Sequence, residues 1–140
     1  MTYATQSDLV DRFGQTELAQ RTDRMNGTTI DAVVLGRALA DADAEIDGYL
    51  ATRYQLPLVS VPVVLTRLAA DMARYNLYDE GMTTVVRQRY EDAVSLLKRM
   101  ASGDVQLAGV SPVVATGGSG NAVATRVPDR VFGVTQLQSY

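Results

Sequence analysis

Four carboxylates at alternate positions, Asp41, Asp43, Glu45 and Asp47, form the densest run of chemically capable groups in the chain. Carboxylates can hold a divalent cation or share a proton as an acid–base pair. On a helix, Asp41 with Glu45 and Asp43 with Asp47 stand one turn apart and share a face. Alternate residues point ~200° apart around the axis and cannot ligate one ion together. The plainer reading of such a run is a solvated helix face or an inter-subunit salt-bridging surface, and that reading is preferred. Asp47, beside Gly48 and Tyr49, lies nearest the apolar stripe. It is expected to pair with Arg53, Arg67 or Arg74, because an isolated buried carboxylate is costly.

Little other chemistry is open to the chain. It has no Cys and no His. Disulfides, thiolate metal sites, thiol nucleophiles and imidazole bases are therefore excluded. No cofactor or metal is expected. The run Gly117-Gly118-Ser119-Gly120 looks superficially like a phosphate loop, but it lacks the GxxxxGK[ST] pattern and reads as a linker. The seven Tyr fall mostly at helix stripe positions and read as core or interface. A formal net charge of −3 argues against a free duplex-DNA binder. No apolar run approaches the ~20 residues that span a bilayer. Met1 to Phe13 carries no signal-peptide pattern. A soluble protein of a reducing cytoplasm is the expectation, with no membrane partner.

The elements that position these groups are helices. A short helix capped by Thr5 or Ser7 stops at Gly14, with Leu9, Val10 and Phe13 on one face. A second short turn is expected over Thr16 to Thr22, and Asn26-Gly27 marks a turn. A long helix begins after Thr28 or Thr29, with Asp31 in its first turn, and runs to about Tyr54. Its stripe is Leu35, Ala38, Leu39, Ala42, Ile46, Tyr49 and Leu50. Pro57 and Pro62 bound a connector. The next helix runs to about Leu77. The last starts near Thr83 or Thr84 and ends at Ser102-Gly103, burying Val86, Tyr90, Ala93, Leu97 and Met100. The fold class is all-α: a small bundle of three long helices plus one or two short N-terminal ones, with an extended C-terminal tail. Residues 1–102 form the body and 103–140 the Gly/Val/Thr-rich tail, linker-like at 117–121. The segment from Val123 to Tyr140 could form a short strand or hairpin.

That tail has too few large apolar groups to fold alone. Even so, Val127, Val131, Phe132, Val134 and Leu137 favour burial. Such an arm is expected to dock outside its own core, for example on a partner's strand edge.

Residues along the body carry a family resemblance. Tyr3-Ala4-Thr5-Gln6-Ser7-Asp8-Leu9 with Phe13-Gly14 resembles the start of tailed-phage head–tail adaptor proteins of the Mu-like prophage type. Glu45-Ile46-Asp47-Gly48-Tyr49-Leu50, Arg53-Tyr54 and Leu56-Pro57-Leu58 extend the likeness. So do Ala69-Ala70-Asp71-Met72-Ala73-Arg74-Tyr75 and Arg89-Tyr90-Glu91-Asp92-Ala93. The resemblance covers roughly residues 3–107.

What it implies is a helical connector subunit of the phage neck, in the virion, with no catalytic role. Such subunits assemble as a ring of copies, commonly twelve, beneath the portal protein. The ring continues the DNA channel, lets DNA pass without sequence-specific binding, and meets the tail or a tail-completion protein. By analogy the tail residues Arg126, Val127, Arg130, Val131 and Phe132 would dock on the portal or a neighbouring copy. Asp41, Asp43, Glu45 and Asp47 would be a subunit or channel surface, repelling DNA phosphates. Two rivals remain: a small DNA-binding or packaging accessory protein, and a carboxylate-dependent hydrolase.

Overall fold

The computed structural model describes residues 1–113, and these are all-helical, with five helices and no strand. The expected strand or hairpin over 123–140 lies outside the described residues.

Helix α1 spans Gln6–Phe13 and opens with a capping box. The Thr5 hydroxyl oxygen accepts from the Asp8 N–H, while the Asp8 carboxylate accepts from the Thr5 N–H at 2.8 Å. Two of the orphan amides at the helix start are thereby satisfied. Gly14, at φ +90°, closes α1 and opens α2, Gln15–Thr22, letting the chain turn sharply between them. The Thr22 hydroxyl then links this turn to the next element: it donates to the Leu18 carbonyl at 2.7 Å and accepts from the Asp31 N–H at 2.9 Å.

Helix α3 spans Ala32–Leu50, shorter at both ends than the sequence pattern predicts. At its start, Asp31 is the cap instead of a first-turn residue, its carboxylate accepting from the Val33 and Val34 amides. At its end, the Arg53 and Tyr54 amides both return to the Leu50 carbonyl, turning the chain out of the helix. The aromatic ring of Tyr54 is therefore buried from a turn, not from a helical stripe.

Helices α4, Val63–Leu77, and α5, Thr84–Ser102, complete the bundle. Pro62 caps α4 from extended backbone. Thr83 caps α5, its hydroxyl oxygen accepting from the Val86 N–H. Helix α4 is central, packing on α3 on one side and α5 on the other. Its buried face includes Ala69, Ala70 and Ala73, whose small side chains let the neighbouring helices come close. Leu9, Leu18, Leu35, Ile46, Leu65 and Leu97 are fully enclosed and come from all five helices. Each such side chain stabilises the fold by roughly 1.5–3 kcal/mol through burial.

Residues 103–113 lie against the body, although the sequence groups them with the tail. Leu107 is 3 % exposed, and its N–H donates to the Tyr54 hydroxyl oxygen at 3.1 Å. Val105 and Val110 pack against the core. The Val113 N–H donates to the Arg53 carbonyl at 2.8 Å. The turn after α5 needs Gly103, which sits at φ +91°, where a Cβ would lie 2.5 Å from Arg53 Nη1.

Candidate assembly surfaces

The four acidic residues of α3 do not form one surface, and this corrects the expectation of a solvated acidic face. Asp41 is exposed, Asp43 is buried, and Glu45 and Asp47 are half-buried. Asp43 accepts the Tyr3 N–H at 3.0 Å. Asp47 accepts the Tyr3 hydroxyl at 2.5 Å and the Met1 ammonium at 3.2 Å. Its partners are thus the first residues of the chain, not Arg53, Arg67 or Arg74. Glu45 turns the other way and accepts the Tyr90 hydroxyl at 3.0 Å. The spacing that puts Asp43 and Asp47 on one face serves to clamp the N-terminal strand of chain onto α3.

Electrostatics follow from this packing. Burial pushes the Asp43 carboxyl above its ordinary range, and the Tyr3 amide and the amino terminus only partly offset it. The Tyr90 hydroxyl is pushed up to about 12, first by burial and then by its bond to Glu45. Tyr3 is raised for the same two kinds of reason, through Asp47. Among the described residues no group of three or more carboxylates is arranged to hold a metal ion.

A second charged network ties α2 to α4. One Glu17 oxygen accepts Arg74 Nε at 3.0 Å, Arg74 Nη2 at 2.8 Å and the Tyr78 hydroxyl at 2.6 Å. The Arg74 guanidinium lies over the Phe13 ring at 4.4 Å, and that of Arg21 over Tyr78 at 4.0 Å. Arg74 is thus fixed by a carboxylate and an aromatic face together. The Tyr75 and Tyr90 rings stack 3.9 Å apart between α4 and α5. None of these pairs was signalled by local spacing, since each joins residues far apart in the chain.

Two features face outward. Arg12, Arg67 and Arg89, from α1, α4 and α5, converge around Asp71 and, with Phe13 and Asp92, line a pocket of about 440 Å³. Arg89 is 3.8 Å from Asp71, whose carboxyl burial nonetheless raises above its usual range despite the surrounding arginines. On another face the loop 55–60, which holds a cis Leu56–Pro57 bond, and the segment 109–111 enclose an uncharged groove of about 390 Å³, where Leu56, Pro57, Val59 and Val110 alternate with Gln55, Ser60 and Ser111. No helix among the described residues is long and apolar enough to cross a membrane. The docking residues expected in the tail, Arg126, Val127, Arg130, Val131 and Phe132, lie outside the described residues.

The class these features define is a small all-α protein, with a charged pocket and an uncharged groove on its surface. A family model described as Bacteriophage Mu, Gp36 matches residues 3–125. The chain belongs to this family of phage proteins. It is 38% identical over 105 residues to the Mu-like prophage FluMu protein gp36 of Haemophilus influenzae, covering 75% of this chain and 74% of the relative. It is 40% identical over 105 residues to Gene product J of Escherichia phage Mu, covering 74% of each.

Proposed function

We propose that the chain is a structural subunit of the phage neck, a head–tail adaptor that assembles as a ring below the portal and continues the DNA channel towards the tail. The single observation that carries this reading is the extent of the family match. It runs from residue 3 through the whole helical body to residue 125, short of the docking residues expected at 126–132. The paired carboxylates of α3 support the same reading. Asp43 and Asp47 spend their acceptor capacity on Tyr3 and Met1, which suits a rigid building block better than an acid–base pair. A ring of identical subunits needs two complementary faces on one body, because head-to-tail contacts must close. The Arg12–Arg67–Arg89 pocket and the uncharged groove are two chemically different faces available for such contacts.

The proposed partners are the portal protein, further copies of the chain, and the tail or its completion protein, with DNA passing through unread. Native mass spectrometry of the chain with and without its cognate portal tests this. A closed multimer on the portal is expected, and a chain that stays monomeric with portal present overturns the reading.

One observation favours a DNA-binding accessory role, namely the three guanidinia around Asp71. Asp71 and Asp92 lie within the same pocket and oppose phosphate there, so the adaptor reading is preferred. Retention on DNA columns that weakens steeply with salt and is lost in Arg67→Ala would reverse that preference.

A further inference from the structure

Arg12, Arg67 and Arg89 reach one pocket from three different helices, α1, α4 and α5, and all three are exposed. Each guanidinium carries five N–H donors in a planar fork. Among the described residues, the one ion pair any of them makes is the loose contact of Arg89 with Asp71, 3.8 Å long and beyond hydrogen-bonding distance. Arg74, beside them, differs: it makes two bonds to Glu17 and lies over Phe13. The pocket of about 440 Å³ thus gathers donors whose acceptors the described residues do not supply.

We infer that this pocket binds a carboxylate side chain on an acidic segment of a partner protein. The inference goes beyond the ring reading and holds with or without it. Three observations choose the occupant. The first is the form of the donors. A guanidinium fork matches the two oxygens of a carboxylate, and forks carried on packed helices need less ordering when the anion arrives. The second is the order of charges with depth. The Asp71 side chain is 13 % exposed and that of Arg89 53 %, so an entering anion meets guanidinium before it meets carboxylate.

The third is extent. Three guanidinia face two carboxylates, Asp71 and Asp92, leaving a local excess of one positive charge on a chain of net charge −3. Duplex DNA carries one negative charge per ~1.7 Å, and a protein that holds it neutralises several phosphates at once. The acidic body as a whole opposes such a polyanion, whereas a single carboxylate needs only the local excess. Phe13 on the pocket wall adds apolar contact for the methylenes of a glutamate or for an apolar neighbour in the segment, which a phosphate does not use.

The full-length chain is titrated, at low ionic strength, into a fluorescein-labelled peptide with two glutamates beside a leucine. A second titration uses the same peptide with glutamines in their place, and anisotropy reads both. The glutamate peptide is expected to bind about tenfold tighter, the difference made by one charged hydrogen bond. Arg67→Gln and Arg89→Gln are each expected to weaken it by about tenfold. Both side chains are exposed, so thermal unfolding stays unchanged. Arg99, exposed and about 15 Å further along α5 than Arg89, is the control, and Arg99→Gln leaves binding as it is. Equal affinity for the two peptides overturns the inference. So does a loss in Arg99→Gln as large as that in Arg67→Gln, which assigns the binding to surface charge in general. Displacement of the labelled peptide by a short DNA duplex at lower concentration than by unlabelled peptide assigns the pocket to phosphate and also overturns it. None of these outcomes bears on ring formation, which the experiment with portal reads separately.

Discussion

At the scale of single residues, the carboxylates that look most reactive are the ones the fold has used up. Asp43 and Asp47 hold Tyr3 and Met1 against α3, Asp43 from a buried position and Asp47 from a half-buried one. Removing the hydroxyl in Tyr3→Phe leaves Asp47 short of one partner and should cost about 1.5–3 kcal/mol, a bond to a charged acceptor. Urea unfolding measures it, and an unchanged midpoint would refute the role assigned to this bond. Asp43 behaves differently, because its folded-state pKa lies above its unfolded value of 3.8. Its folded form holds a proton that its unfolded form releases just above that pH. The contribution to stability is thus largest below 3.8 and is lost as pH rises through the raised folded value. Asp43→Asn keeps an acceptor for the Tyr3 amide and removes the buried charge. It is expected to unfold at higher denaturant at neutral pH than the parent, and to flatten the loss of stability that begins as pH rises above 3.8. Gly103→Ala is a second local test. Left-handed backbone costs an alanine about 1–2 kcal/mol, and its Cβ would also press on the Arg53 guanidinium. Gly81→Ala, at φ +68° with open space around it, carries the backbone penalty alone. The two substitutions should therefore differ, with Gly103→Ala the worse in thermal unfolding.

At the scale of elements, caps and apolar stripes were readable because they are local. Thr5 with Asp8, Gly14 and the Thr83 cap of α5 all follow from residues within three or four positions. Of the predicted stripe, Val86, Ala93, Leu97 and Met100 are buried, while Tyr90 is half-buried, its hydroxyl reaching Glu45. The sequence pattern carries α3 on to Tyr54, because Tyr49, Leu50 and Tyr54 continue an apolar pattern that does not require helix. What ends α3 at Leu50 is a turn whose Tyr54 hydroxyl accepts the Leu107 N–H of the segment returning from α5. A contact between residues so distant leaves no trace in local periodicity. The Tyr75–Tyr90 stack is of the same kind. Tyr90→Phe preserves the stack and loses only the bond to Glu45, so it should cost about 1–2 kcal/mol, whereas Tyr90→Ala should cost about 3–5 kcal/mol. Equal losses in denaturant unfolding would show that the ring contributes nothing between α4 and α5.

At the scale of the whole molecule, the body closes with the help of the chain beyond α5. Leu107 fills a core position and Val113 is tied to Arg53. Truncation after Val113 is expected to leave the unfolding temperature unchanged while abolishing assembly. Truncation after Ser102 removes Leu107 and should destabilise by about 3 kcal/mol or more. Calorimetry of the two truncations checks this, and similar temperatures would mean that 103–113 is not part of the body. The raised tyrosines act together at high pH. Tyr3, Tyr78 and Tyr90 hold their protons in the folded state above the ordinary value of 10, and Tyr90 does so to about 12. The unfolded chain releases those protons first, so stability falls as pH rises through 10. The alkaline unfolding midpoint should move upward in Tyr90→Phe relative to its own neutral-pH stability.

Taken alone, the order of residues determined the helical class, the caps, the main stripes and the family, since each depends on neighbours a few positions apart or on a shared pattern. Only tertiary structure decided which carboxylates are spent inside the fold, which arginines meet around Asp71, and where a groove stays open between loop 55–60 and residues 109–111. Those outcomes depend on residues brought together from opposite ends of the chain. Burial and pairing there set the energy of a charge far more strongly than its immediate sequence does.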